Sequence, residues 1–229
     1  MAKDLMIVRT EDLLYNPTNR VPIALCLDAS GSMSGAPMQE LNEGVRLFFE
    51  ALQADPIAKA SAEVAIVSFA DEAETVLDFQ GLERVAQPPV MTSTGGSTSL
   101  GEGVNLALDL LETRKREYQK AGVDYFQPWL VLMTDGQPTS SAHAQAGPRV
   151  CEMEGQGKLV VFPIGIGSAA DMSTLAMFSK KRDPLRLQGL NFRQFFEWLS
   201  KSVVRVSQSR PGEKLNLDLE GIKGWATLD

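Results

Sequence analysis

Four short runs of almost uninterrupted apolar residues constrain this chain more than any other feature: Val21–Leu27, Val64–Phe69, Trp129–Met133 and Leu159–Ile166. A strand with one wet face alternates apolar and polar residues. A run without that alternation predicts a strand buried on both faces, as in a parallel sheet covered by helices. Thr75–Phe79 does alternate and predicts a neighbouring or edge strand, and Leu185–Leu187 reads as a short last strand. The segments between the runs carry helical spacing. After Pro37, a residue suited to a first helical turn, apolar side chains recur at Met38, Leu41, Val45, Phe48 and Leu52 along one face. Ser99-Leu100-Gly101-Glu102 has the form of a capping box. It predicts a helix with Leu100, Val104, Ala107, Leu108 and Leu111 inward and a charged end, Glu112–Lys120, in which Arg114-Lys115-Arg116 form a solvated face. Asn191 is expected to cap a helix bearing Phe192, Phe195, Leu199, Val203 and Val206 on one side, and Ala142–Glu154 fits another. Strands alternating with helices predict an α/β fold, a doubly wound, mostly parallel sheet flanked by helices.

Charge and side-chain inventory narrow the functions open to such a sheet. Lys and Arg number 22 against 29 Asp and Glu, a net charge of −7, so the chain has no overall basic footprint for nucleic acid or an anionic membrane. One histidine, His143, makes a two-histidine zinc site within the chain unattainable, and it reads as a solvated loop residue. Two cysteines do not make a disulfide framework; Cys26, inside an apolar run, is expected to pack as a small buried hydrophobe. No run approaches the ~20 apolar residues of a membrane span, and charge appears too early after Met1 for a signal peptide. These features predict a cytoplasmic protein.

Ligands of open α/β sheets bind beyond the carboxyl ends of the strands. The first run leads directly into Asp28-Ala29-Ser30-Gly31-Ser32, a carboxylate and two hydroxyls at a spacing of two, with Gly31 relaxing the turn. The Trp129–Met133 run ends in Thr134-Asp135-Gly136, a second strand-end carboxylate. Between them, Thr94-Gly95-Gly96-Ser97-Thr98 delivers a hydroxyl just before a helix. On one edge of a parallel sheet these three loops converge, gathering Asp28, Ser30, Ser32, Thr98 and Asp135. All-oxygen donors select hard cations, with Mg²⁺ the first expectation and Mn²⁺ or Ca²⁺ the alternatives. Three of the five donors are neutral, so the ion keeps unbalanced positive charge and an open position. An anionic oxygen from outside, such as an Asp or Glu of a protein partner, suits that position.

These residues carry a resemblance. Asp28-Ala29-Ser30-Gly31-Ser32, Thr98 after Gly95-Gly96, and Asp135 in Met133-Thr134-Asp135-Gly136 resemble the metal-ion-dependent adhesion site of von Willebrand factor type A domains. Within that superfamily the chain is similar to a bacterial TerY-like branch associated with tellurium resistance. The supporting segments are Leu41–Val45, Leu110–Tyr118, Pro128–Thr139, Leu190–Ser200 and Ser207–Gly212 with a later Gly224-Trp225. The resemblance implies a Rossmann-like domain over residues 1–209, followed by a tail, 210–229, docked through Trp225. It implies Asp28, Ser30, Ser32 and Thr98 as near or water-bridged ligands of a divalent ion, with Asp135 either supporting them from behind or acting through water. It also implies partners in a phosphorylation or stress-signalling module, among them a PP2C-type phosphatase and a protein kinase, and no enzymatic step of the chain's own.

Two enzymatic alternatives meet specific gaps. Phosphatases of the haloacid dehalogenase class need an acid two residues after the strand-end Asp, where this chain has Ser30. Gly95–Gly101 is glycine-bearing and precedes a helix, but it lacks the Gly-Lys-Ser/Thr of a phosphate-binding P-loop. The metal motif itself shows no departure from the pattern of the family it resembles. Nothing in the residues bears on tellurite itself, because no cluster of soft ligands is present.

Overall fold

The computed structural model of the chain describes residues 13, 15, 16, 18–139, 141–210 and 224–228. Among the described residues, seven strands form one sheet in the order β3-β2-β1-β4-β5-β6-β7. They are β1 (Val21–Asp28), β2 (Ala62–Phe69), β3 (Ala73–Leu77), β4 (Trp129–Thr134), β5 (Val160–Ile166), β6 (Leu185–Leu187) and β7 (Ala226–Leu228). β1, β2, β4, β5 and β6 pair in parallel, while β3 and β7 close the two edges in antiparallel. The four apolar runs occupy the centre, and every residue of β1, β2, β4 and β5 is buried. This is the α/β, doubly wound, mostly parallel arrangement that the unbroken apolar runs require. β6 is not the last strand: Ala226–Leu228 adds β7 beyond it, with Arg186 opposite Thr227.

Helices cover both faces: α1 (Ala36–Ala54), α2 (Pro56–Ser61), α3 (Leu100–Ala121), α4 (His143–Gly155), the single turn α5 (Met172–Leu175) and α6 (Phe192–Ser207). The alternation of side chains along β1 divides the core in two. Ile23, Leu25 and Leu27 join Phe48 and Phe49 of α1 and Phe192, Phe195 and Phe196 of α6. Ala24 and Cys26 point to the other face, under Leu100, Val104 and Leu108 of α3 and Ala146 and Val150 of α4. The small residues of β1 on that second face let α3 lie close to the sheet. A Cβ on Gly103 would stand only 3.0 Å from the Cβ of Phe69. Trp225, just before β7, packs edge-on to Phe195, with ring centroids 6.2 Å apart. Among the described residues, no helix is long and apolar enough to cross a membrane.

Three local expectations fail. Asn191 stands at the N-cap of α6 without a side-chain cap, because its amide donates backwards to the Gln188 carbonyl at 2.6 Å. Ser99 stands at the N-cap of α3, but its hydroxyl donates to the backbone carbonyl of Asp71, 2.9 Å away, so no side-chain cap forms. A tertiary acceptor has displaced the local one. Arg114 and Lys115 are not a solvated face. Arg114 is fully buried, donating to Glu63 at 2.6 and 2.8 Å, and Tyr118 donates to the same carboxylate at 2.6 Å. Arg20, just before β1, lies 3.1 Å from it as well. Helical spacing cannot show that a second charged layer will be covered, because the covering carboxylate comes from β2, at the amino end of the sheet. The sequence reading also passed over α2, whose N-cap Asp55 accepts from the backbone of Ile57 and Ala58 at 3.0 and 2.8 Å.

Candidate metal centre

The strand order reverses at β1: the chain leaves it through α1 to reach β2 on one side and later returns through α3 to β4 on the other. Such a switch point opens a crevice at the carboxyl ends of the two strands, because their loops diverge to opposite faces of the sheet. Asp28 is the last residue of β1, and the pairing of Leu27 with Met133 sets it level with Thr134 of β4. Asp135 follows one residue later.

Side-chain contacts join these loops. Asp28 is completely buried; one carboxylate oxygen accepts from the Ser30 backbone N–H at 2.8 Å, and the other accepts from the Thr134 hydroxyl. The Ser30 and Ser32 hydroxyls are 3.1 Å apart, and Ser32 donates to Asp135 Oδ1 at 2.7 Å. Exposure rises along this line: Ser30 is buried, Asp135 half-buried and Ser32 exposed, so the oxygen cluster opens towards solvent.

The glycine loop completes the ring. A Cβ on Gly136 would lie 3.7 Å from Thr98 Oγ1, which places the threonine hydroxyl over the turn that carries Asp135. The Thr98 N–H donates to Thr139 Oγ1 at 2.9 Å, and the Thr139 N–H returns a 3.2 Å bond to the Thr98 carbonyl. A Cβ on Gly31 would come within 2.9 Å of the Gly95 carbonyl oxygen, so the first and second loops touch through backbone. Thr94 N–H reinforces that contact with a 2.7 Å bond to the Ala29 carbonyl. The structure therefore gathers all five residues singled out by sequence: Asp28, Ser30, Ser32, Thr98 and Asp135. His143 opens α4 and is half-buried. Ser140, part of the hydroxyl cluster after Thr139, lies outside the described residues.

Electrostatics at this point are unfavourable to bare carboxylates. Burial pushes the Asp28 carboxyl above its ordinary range, the bonds from Ser30 and Thr134 pull it back in part, and the nearby Asp135 charge pushes it up again. A divalent cation would remove that conflict by supplying the missing positive charge. The donors fit a hard ion, since they are carboxylates and hydroxyls. Among the described residues no group of three or more His, Cys, Asp or Glu side chains could hold a metal.

Sequence reasoning missed one residue here. Asp71, two residues beyond β2, accepts at Oδ1 from the backbone N–H of Gly96 at 3.1 Å, from the N–H of Ser97 at 2.9 Å and from the Ser97 hydroxyl. The Ser97 side chain is the main reason its carboxyl sits below the usual range, followed by the two backbone bonds. The signal was available: Asp71 stands two residues after the Val64–Phe69 run, as Asp135 stands two after the Trp129–Met133 run, and the same strand-end rule points to it.

Comparison with known proteins decides the family. Residues 23–196 match the von Willebrand factor type A domain family. The chain belongs to it. The strand order, the switch-point crevice and the three converging loops are thus those of a type A domain. Solved structures share the fold. A mussel byssus protein, proximal thread matrix protein 1, solved with a zinc-occupied MIDAS motif, is 17% identical; the match has a TM-score of 0.55 and covers 84% of this chain and 46% of that one. The pilus adhesin SpaC of Lactobacillus rhamnosus GG is 12% identical with a TM-score of 0.64, over 82% of this chain and 30% of that one. The conserved hypothetical protein BatB of Bacteroides thetaiotaomicron is 17% identical with a TM-score of 0.55, over 82% of this chain and all of that one. This chain therefore spans under half of the mussel protein and under a third of the adhesin, while BatB is matched end to end. Comparison with curated proteins gives no match.

Proposed function

We propose that this type A domain is a metal-dependent protein-interaction module without catalysis of its own. Asp28, Ser30, Ser32, Thr98 and Asp135 would hold a divalent cation, Mg²⁺ before Mn²⁺ or Ca²⁺, whose open position takes a carboxylate of a partner protein. The observation that carries this reading is the completed ring. A fully buried Asp28, bonded through Ser30 and Thr134, sits under a Ser30–Ser32–Asp135 chain, and the Thr98 hydroxyl stands beside the Asp135–Gly136 turn from the glycine loop. The zinc-occupied MIDAS of the mussel relative supports the choice of metal chemistry.

Chemistry favours interaction over turnover. Bound cation, when present, supplies a Lewis-acidic anchor for an anionic oxygen. The chain's own residues orient that anchor: Thr134 and the Ser30 N–H fix both oxygens of Asp28, and Ser32 fixes Asp135. Neither Ser30 nor any other residue supplies the second acid expected two positions after a phosphatase nucleophile. A carboxylate partner suits the site because burying an acid beside Asp28 and Asp135 without a cation would be strongly unfavourable. At a net charge of −7, the ion would serve as the specificity element for that acid.

The finer reading places the module in the bacterial cytoplasm, in the TerY-like, tellurium-resistance-associated branch. There it would serve stress or phosphorylation signalling, with a PP2C-type phosphatase and a protein kinase as partners. The segments Leu110–Tyr118 and Leu190–Ser200 support the branch, and two free cysteines suit a reducing compartment. The test is a pull-down with the wild type and Asp28→Ala, each in Mg²⁺ and in chelator. Partner capture should require both Mg²⁺ and Asp28. Equal capture in chelator would overturn the reading.

A further inference from the structure

Thr98 is the one proposed donor whose loop does not continue directly from the end of β1 or β4; it comes from a loop before α3 held by few local constraints. Thr94–Ser99 has no regular secondary structure, and Gly95 and Gly96 leave its backbone free to take many shapes. A hydroxyl on such a loop meets a metal only if something outside the loop fixes it.

Asp71 supplies that constraint from the end of β2. Its Oδ1 accepts three hydrogen bonds from consecutive loop residues, one from Gly96 and two from Ser97, the residue next to Thr98. The backbone of the Ala70–Asp71 turn adds two further ties. The Asp71 carbonyl accepts from the Ser99 hydroxyl at 2.9 Å, and the preceding Ala70 carbonyl accepts from the Ser99 N–H at 2.9 Å. Ser97 and Ser99 are thus bound on either side of Thr98. Gly95 follows the same contact: it takes a φ of +69°, and a Cβ there would stand 2.3 Å from Asp71 Oδ2. Side-chain freedom and space at Gly95 are both given up to let the carboxylate in.

We infer that Asp71 is a positioning residue for the metal centre, acting through Ser97 and Gly96 to aim the Thr98 hydroxyl over Gly136. This rests on the metal reading of the site. Asp71 acts on the loop and not as one of the five proposed ligands: its Oδ1 serves three donors of the loop. Its side chain is exposed, so its bonds compete with water and contribute little to global stability. They contribute geometry instead: metal ligands tolerate displacements of only ~0.2 Å, and loss of a supporting contact behind a ligand typically weakens metal affinity about 10–100-fold.

The test compares wild type, Asp71→Ala, Asp71→Asn and Ser97→Ala, titrated with Mg²⁺ by calorimetry, with amide hydrogen exchange of residues 96–99 in chelator. Asp71→Ala should weaken Mg²⁺ binding about 10–100-fold and release the Gly96 and Ser97 amides to exchange. Asp71→Asn keeps an Oδ1 acceptor and should restore affinity to within about threefold of wild type and most of the exchange protection; a group acting by charge would not be rescued by it. Should Asp71→Ala fail to fold, Ser97→Ala removes one of the three donors and should still weaken binding, by less. Wild-type binding with unchanged affinity in Asp71→Ala, or an Asp71→Asn as weak as Asp71→Ala, overturns the inference. Wild type that binds no Mg²⁺ overturns instead the metal reading beneath it.

Discussion

Replacing Gly31 by alanine tests the convergence of the three loops with a single methyl group. The φ of Gly31 is not positive, so its backbone would accept alanine in isolation. Space is the only reason for glycine there: the new Cβ would lie 2.9 Å from the Gly95 carbonyl oxygen, and backbone cannot swing aside as a side-chain tip can. To reach an ordinary contact the two loops must part by roughly 0.5–1 Å, several times the ~0.2 Å tolerance of metal–ligand distances. Ser30 and Ser32 move with one loop and Thr98 with the other, so the ring cannot close on one octahedral ion of about 2.0–2.1 Å ligand distance. Mg²⁺ affinity should fall about 10–100-fold, read by calorimetry. Gly122→Ala is the matched control. That glycine ends α3 with a φ of +68° and open space around it, so alanine costs about 1–2 kcal/mol of strain and should leave Mg²⁺ affinity unchanged. If Gly31→Ala binds Mg²⁺ as wild type does, the loop contact does not set the site and the reasoning fails.

Three further outcomes follow from the same geometry. A saturating cation should raise stability by relieving the Asp28–Asp135 conflict; at 100 times its Kd the gain is about 2.7 kcal/mol, or roughly 5–11 °C in Tm, and equal melting in Mg²⁺ and chelator would contradict tight binding. Glu63→Ala strands Arg114 and Arg20 in the interior and should cost about 3–5 kcal/mol in chemical denaturation, while Mg²⁺ affinity stays unchanged because the site is at the other end of β2. Asp171, at the N-cap of α5, has its carboxyl lowered to about 2, first by the Ser173 and Thr174 hydroxyls. A lowered carboxyl stabilises the fold above its unfolded value of about 4 and loses that contribution as pH falls towards 2; the stability gap between wild type and Asp171→Ala should therefore close across that window in acid titrations followed by circular dichroism.

The legibility of this protein was uneven for physical reasons. Asp28, Ser30, Ser32 and Asp135 could be read directly because a buried strand must end somewhere, and in a parallel sheet those ends share an edge. Thr98 was legible through its glycines and the helix that follows. Asp71 was legible as a strand-end carboxylate but its role was not, because its contacts lie 25 and 26 residues away on the glycine loop and leave no spacing pattern. The capping box at Ser99 had the correct letters, yet a tertiary acceptor claimed the hydroxyl.

Amino-acid order alone determined which segments are buried on both faces, and hence the parallel sheet, its two helical layers and the edge on which oxygen donors collect. These follow from hydrophobic periodicity, a local property of the chain. Only the folded structure decided that Glu63 would enclose Arg114 and Tyr118, that Ser32 would reach Asp135 across 103 positions, and that Asp71 would hold the loop of Thr98. Such contacts depend on strand order and register, which bring distant residues to ångström separations that no local pattern records.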